Sequence, residues 1–260
     1  MVCRVLALLV ASSCSTNVRQ EEVAPRVPPT IPTAARPVRH RPSGPFYVPV
    51  AATKVVPILR YDAPNLNYGW LDREHCEAEL TRRAIEFGEA TIAGVLEPVR
   101  LRGPLHGVAI HADGRSVHDV LDCRLALALD DFAELVAQSD VTEIDYTGAY
   151  RSKRELGCTA KYDGLQHCGA LAIDVTAFKR SDGTTLQIQR DFHGQIGLDT
   201  CVDGVGPVKA THDADLLWSF ACGAAERALF NVILTPNWNA DHRNHFHLEI
   251  TPDAGWMMVH

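Results

Sequence analysis

The stretch "ALAIDVTAF", residues 170–178, sets the firmest limit on what this chain can fold into. It reads as a strand buried on both faces, yet Asp174 stands in its middle. A carboxylate taken out of water costs several kcal/mol unless it is paired or metal-bound. The fold must therefore bring a partner to Asp174, pair it with an arginine, or leave it pointing outward at an edge.

Candidate partners lie on both sides in sequence. His167 precedes Asp174 by seven residues, at the end of a loop. Near the end of the chain, "NADHRNHFHLEI" carries His242, His245 and His247 within six residues. Alternation there puts His245, His247 and Glu249 on one side of a final strand. A solvated polar strand face is the plain reading of the two strand histidines, but histidine is also the commonest metal ligand. His167, Asp174 and one histidine of the terminal cluster make a set of two histidines and a carboxylate. Three protein ligands leave a fourth tetrahedral position open for water, as in catalytic zinc sites. Such a water ionises near neutral pH and can attack an amide carbonyl. The same set also describes the non-haem iron triad. Those oxygenases usually place the first histidine and the carboxylate two residues apart, and an oxidising compartment makes ferrous iron hard to keep. Zinc is the expected ion.

Composition narrows the setting. The N-terminal "MVCRVLALLVASSC" has Arg4, a short apolar run and then small residues, the pattern of an export signal. Its end, Ser12-Ser13-Cys14, resembles a lipobox, which would make Cys14 the lipidated first mature residue and place the protein in the periplasm or at the outer membrane as a lipoprotein. Residues 15–60 are rich in Pro and Arg, have neither helical nor strand period, and are expected to be a disordered tether. The folded domain is expected over residues 61–260, which carry 17 Lys/Arg against 30 Asp/Glu. So acidic a body does not suit nucleic acid, and a monomer is expected. Beyond the leader, six cysteines remain: Cys76, Cys123, Cys158, Cys168, Cys201 and Cys222. An even number in an exported chain predicts three disulfides. Of 15 pairings, the one joining sequence neighbours is favoured: Cys76–Cys123, Cys158–Cys168 and Cys201–Cys222.

The fold class expected is α+β, with a helix-rich first half and a mostly antiparallel sheet after it. Residues 72–87 read as a helix with Cys76, Leu80, Ile85 and Phe87 as its apolar members. Residues 99–114 read as two short strands with a turn. Residues 116–138 read as the best helix, opened by a capping box from Ser116 to Asp119, with Val120, Leu121, Leu125, Leu129, Phe132 and Leu135 at helical period. Strands are expected at 141–150, 184–192, 231–236 and 245–250, and a helix at 213–230, with Trp218, Phe220 and Phe230 in the core. His106, His111, His118, His193 and His212 read as isolated surface residues.

The arrangement H-x6-D followed much later by H-x-H resembles the LAS-type zinc peptidases, the D-Ala-D-Ala carboxypeptidases, murein endopeptidases and their relatives. The wider chain resembles the bacterial extensin-like C-terminal domain family over roughly residues 70–250. The matching segments are "YRS" at 150–152, "HCGALAIDV" and "LTPNWNADHRNHFHLEI". This resemblance implies an LAS-type α+β fold with helices packed on the sheet, and one zinc ion (Zn2+). It implies His167, Asp174 and His247 as the metal ligands, with His245 beside the metal water as base or electrostatic helper and His242 close by. Arg151 matches an arginine that holds substrate or a developing oxyanion. The chain departs from the pattern at Leu165, where many members have Ser, at Cys168, where a small residue is common, and at His245, where the carboxypeptidases use Glu. The expected function is a zinc-dependent peptidase or amidohydrolase acting on peptidoglycan peptides, closer to an endopeptidase than to a carboxypeptidase. The alternative is a cell-wall-binding lipoprotein that keeps zinc for stability alone.

Overall fold

The computed structural model describes residues 55–57, 62–112, 119–152, 158 and 164–260. The expected leader and most of the expected tether lie outside them, but residues 55–57, read as tether from the sequence, form a strand that pairs with residues 256–258 and so belong to the folded domain. Three short elements open the chain: strand β1 (Val55–Pro57), helix α1 (Pro64–Gly69) and helix α2 (Arg73–Arg82). A three-stranded sheet is formed by β2 (Phe87–Glu89), β3 (Pro98–Leu101) and β5 (Leu121–Asp122), in the order β2-β3-β5. Strand β4 (Ala109–Ala112) leaves it for the main sheet. Helix α3 (Cys123–Ala137) then leads to β6 (Val141–Tyr146), β7 (Ala172–Arg180) and β8 (Thr185–Gln187). Short α4 (Ile188–Asp191), long α5 (His212–Glu226), β9 (Val232–Leu234), β10 (Phe246–Glu249) and β11 (Trp256–Val259) complete the order.

The main sheet runs β1-β11-β9-β10-β7-β6-β4, with β8 also paired to β7. Two pairings, β4 with β6 and β11 with β9, are parallel, and the others are antiparallel. This is the α+β class expected. Asp122 caps α3 by accepting from the Arg124 backbone N–H at 3.1 Å, and Thr211 caps α5 by accepting from Ala214 at the same distance. The helices meet the sheet in an aromatic core. Phe178 of β7 stands 6.1 Å from Phe132 of α3, 5.0 Å from Phe220 of α5 and 6.2 Å from Phe246 of β10. Trp218 and Phe230 are buried as expected.

A bulge gives β7 its dual character. Val175 pairs with Tyr146 and Ala177 with Asp145, so Thr176 is the extra residue. Phe178 thereby joins Val175 on the core side, although it and Asp174 share the same parity in sequence.

The disulfides are those expected. Cys76–Cys123 ties α2 to the start of α3, Cys158–Cys168 holds the turn before β7, and Cys201–Cys222 ties a loop to α5.

Several element boundaries differ from the sequence reading. Helix α2 ends at Arg82 because Ala84 turns left-handed (φ 56°), which puts Ile85 outside the helix and Phe87 in a strand. Helix α3 begins at Cys123 with Asp122 as its cap, so Leu121 belongs to β5, Val120 precedes it and Asp119 is no capping-box partner. Ser116 lies outside the described residues. The two strands of residues 99–114 do not form a hairpin but enter different sheets. The strand expected at 184–192 stops at Gln187 and turns into α4, and α5 stops at Glu226, where Ala228 is left-handed (φ 51°). The histidines thought isolated include two with partners. His106 Nε2 is 3.1 Å from Asp130, and His111 Nδ1 is 2.9 Å from Asp145. His118 lies outside the described residues.

Candidate metal centre

Sheet register builds the first half of the centre. Asp174 on β7 and His247 on β10 are direct cross-strand partners. Their neighbours Val175 and Phe246 turn to the core, so the two polar side chains share the opposite face. His167 arrives from a 3-10 turn, Gln166–Gly169, immediately before β7. That turn is bounded by left-handed residues, Gln166 (φ 49°) and Ala170 (φ 53°), an uncommon conformation outside glycine. It closes tightly on Gly164, where a Cβ on Gly169 would come within 2.4 Å of the backbone. The Arg151 N–H donates to the His167 carbonyl at 2.9 Å, and the Cys168 bridge fixes the turn from the other side.

All three side chains are buried, and they converge through one atom each. His167 Nε2 is 3.1 Å from Asp174 Oδ1 and 3.3 Å from His247 Nδ1, and His247 Nδ1 is 3.1 Å from Asp174 Oδ1. Donors about 2.0–2.1 Å from a tetrahedral zinc stand about 3.3–3.4 Å from one another. The triangle is therefore the size that such an ion spans, and its two nitrogens and one oxygen suit zinc. Each side chain is also held from behind. His167 Nδ1 lies 3.3 Å from the Ala149 carbonyl, His247 Nε2 lies 3.2 Å from Glu249 Oε2, and Asp174 Oδ2 accepts from Arg151 Nη2 at 2.8 Å. Such rear partners orient ligands in metal sites.

The other two histidines of the terminal cluster flank the triangle. His245 Nε2 is 3.4 Å from Asp174 Oδ1, but His245 is not one of the three residues whose ligand atoms all lie within 4.8 Å of one another. His242 sits on a 3-10 turn, Ala240–His242, with its ring 5.0 Å from that of His245 and 5.8 Å from that of His247. Asn239 Oδ1 accepts from the backbone N–H groups of Asp241 and His242 and lies 2.8 Å from His242 Nδ1. That oxygen makes Nδ1 the protonated nitrogen of His242 and leaves Nε2 as an acceptor.

Electrostatics separate the four rings. Burial drives His167 below the ordinary histidine value, against the pull of Asp174. It also lowers His245, and it takes His242 down to about 3 with help from the neighbouring histidines. Burial would lower His247 too, but its hydrogen bonds to Asp174 and Glu249 prevail and push it up to about 9. Burial would raise Asp174, yet His167 and His247 hold it well below the usual carboxylate range. At neutral pH the metal-free centre thus holds a carboxylate, a cationic His247 and neutral rings around them.

All six residues named from the sequence fall in this one region. Arg151 reaches Asp174, while Asp145 is engaged by His111 and Lys179. Glu249 and Asn239 carry no role in the sequence reading. The alternation of His247 and Glu249 is the signal that pointed to the first. A second group, His111, Glu143 and Asp145, also brings ligand atoms together, but it is more exposed and already surrounds Lys179 Nζ, 2.5 Å from Glu143 and 3.3 Å from Asp145.

The family model described as "Extensin-like protein C-terminus" matches residues 74–259. No curated protein and no solved structure matches the chain.

Proposed function

The chain belongs to the extensin-like C-terminal family, and from that premise we propose that it is an exported zinc-dependent peptidase or amidohydrolase of the LAS type, acting on the peptide cross-links of peptidoglycan. The observation that carries the proposal is the triangle of His167 Nε2, Asp174 Oδ1 and His247 Nδ1, with sides of 3.1–3.3 Å and a flanking ring on His245. A structural site would not require that spare histidine beside a three-ligand centre. Three disulfides suit an oxidising compartment. Among the described residues no helix is long and apolar enough to cross a membrane. Attachment to a membrane would come from lipid on Cys14.

When bound, zinc supplies a Lewis acid for an amide carbonyl and acidifies water toward neutral pH. His167, Asp174 and His247 would hold it. His245, neutral because it is buried, takes a proton at Nε2 and returns it to the leaving amine. His242 offers an unprotonated Nε2 close by as a hydrogen-bond acceptor. Arg151 gives one arm to Asp174 and keeps 41% of its side chain exposed, so its further N–H groups can grip a substrate carbonyl or carboxylate. Digestion of defined muropeptides by zinc-loaded protein, with products identified by mass spectrometry, tests the reading. Cleavage at a peptide bond that disappears on chelation and returns with zinc is expected. Loaded protein that turns over no muropeptide would leave the cell-wall-binding lipoprotein in its place.

A further inference from the structure

We propose that Glu249 is a positioning residue for the metal centre: its carboxylate accepts the Nε2–H of His247 and thereby turns Nδ1 of that ring toward the ion. The inference rests on the zinc reading above. A neutral imidazole carries its proton on one nitrogen only, and the partner of one nitrogen decides which of the two is left to bind a metal. Glu249 follows His247 by two residues on β10, so both side chains stand on the same face. Glu249 is 4% exposed. Its Oε2 is 3.2 Å from His247 Nε2, and its Oε1 accepts from the Thr251 hydroxyl at 2.9 Å. Three alternate residues of one chain segment thus form a line, with Thr251 steadying Glu249 and Glu249 steadying His247. Oε1 of Glu249 accepts from Thr251 and Oε2 faces the ring; a carboxylate oxygen is the acceptor of such a pair, so Nε2 is the nitrogen that keeps its hydrogen. His247 Nδ1, at the other side of the ring, is the atom that meets His167 and Asp174.

The two histidine ligands are backed unequally. His167 Nδ1 faces a neutral backbone carbonyl, whereas His247 Nε2 faces a carboxylate. A carboxylate behind an imidazole makes it a stronger donor, and loss of such a partner typically weakens metal binding about 10–100-fold. The inequality assigns to Glu249 a share of the metal affinity that no simple packing role would give it.

The test uses the Glu249→Gln variant of the full chain, a substitution that keeps size and shape. Zinc affinity is measured by chelator competition, and the ring nitrogens of His247 are observed by 15N NMR in the zinc-loaded wild type. The expected results are a 10–100-fold weaker affinity in the variant and, in the wild type, a proton on Nε2 with the metal on Nδ1. Affinity of the variant within about twofold of wild type, a margin well below the usual second-sphere effect, overturns the inference and leaves the zinc reading standing. A wild type that binds no zinc overturns both. If Glu249→Gln does not fold, the wild-type spectrum decides alone, and metal on Nε2 of His247 refutes the proposal.

Discussion

Metal uptake should be coupled to release of about one proton, and its source should be His247. A histidine must be neutral to bind a metal. In the metal-free protein Asp174 is ionised and His167 is neutral, so neither has a proton to give up, whereas His247 is raised to about 9. At pH 7 the ring lies about two units below that value, which costs about 2.7 kcal/mol, or ~100-fold in apparent zinc affinity. Affinity should therefore rise about tenfold per pH unit from roughly pH 6.5 to 8.5 and level off beyond pH 9. Chelator competition at three pH values measures the slope, and calorimetry in two buffers of different ionisation heat counts the proton. The same groups set the stability of the metal-free fold. A raised His247 stabilises below its ordinary value near 6.5, and that contribution, roughly 3 kcal/mol, is lost as pH rises through about 9. The depressed Asp174, His167, His242 and His245 act in the opposite direction. For each, the unfolded chain takes up protons more readily as pH falls, so their contribution is lost toward acid. The metal-free domain should be most stable near pH 6.5. A flat zinc affinity between pH 6.5 and 8.5 together with no proton release would refute this account of the His247 charge.

His245→Ala should retain one zinc by elemental analysis and lose about 10²–10⁴-fold in muropeptide turnover, roughly 3–5 kcal/mol of barrier; loss of metal along with activity would make His245 a ligand instead. Replacing both Cys76 and Cys123 by Ala opens a link across 47 residues and should cost about 4 kcal/mol of unfolding free energy on the loop-entropy estimate, read from urea midpoints. Gly194→Ala should destabilise by about 1–3 kcal/mol in thermal unfolding, because the new methyl would meet Asn237 Oδ1 at 2.2 Å and the Phe192 ring at 2.8 Å in a packed corner.

The cluster was legible because chemistry marks it. Asp174 in an apolar strand demands a partner, and histidine is a residue type that can supply one, though the family resemblance alone singled out His247 among the three terminal histidines. The cysteine pairs were legible from their number and order. Boundaries were not. Ala84 and Ala228 stop their helices by adopting left-handed backbone, although alanine is the best helix former and gives no local warning. At α3, Ser116 and Asp119 mimic a start that Asp122 provides in fact, since a strand residue can cap the helix that follows it. The split of β3 and β4 between two sheets is a long-range choice, because the strand that claims β4 is β6, more than 30 residues further on. The role of Glu249 and the pairing of Arg151 with Asp174 were hidden for a related reason. Alternation places Glu249 on the right face without saying that its oxygen reaches the ring, and nothing near Arg151 in sequence points to a carboxylate 23 residues away.

The pairing of Asp174 with His247 has a consequence for assembly. The two residues are 73 positions apart, yet they meet because one strand lies against the other in a single alignment. If β10 slipped by one residue against β7, much of the ladder could re-form, but His247 would turn to the far side of the sheet and the cluster would vanish. An ion captured here would select between these states. It would draw the equilibrium toward the aligned chain, since only that chain offers three donors. Metal binding would thereby proofread one long-distance pairing of the fold, and a misaligned molecule would be recognised by what it fails to hold.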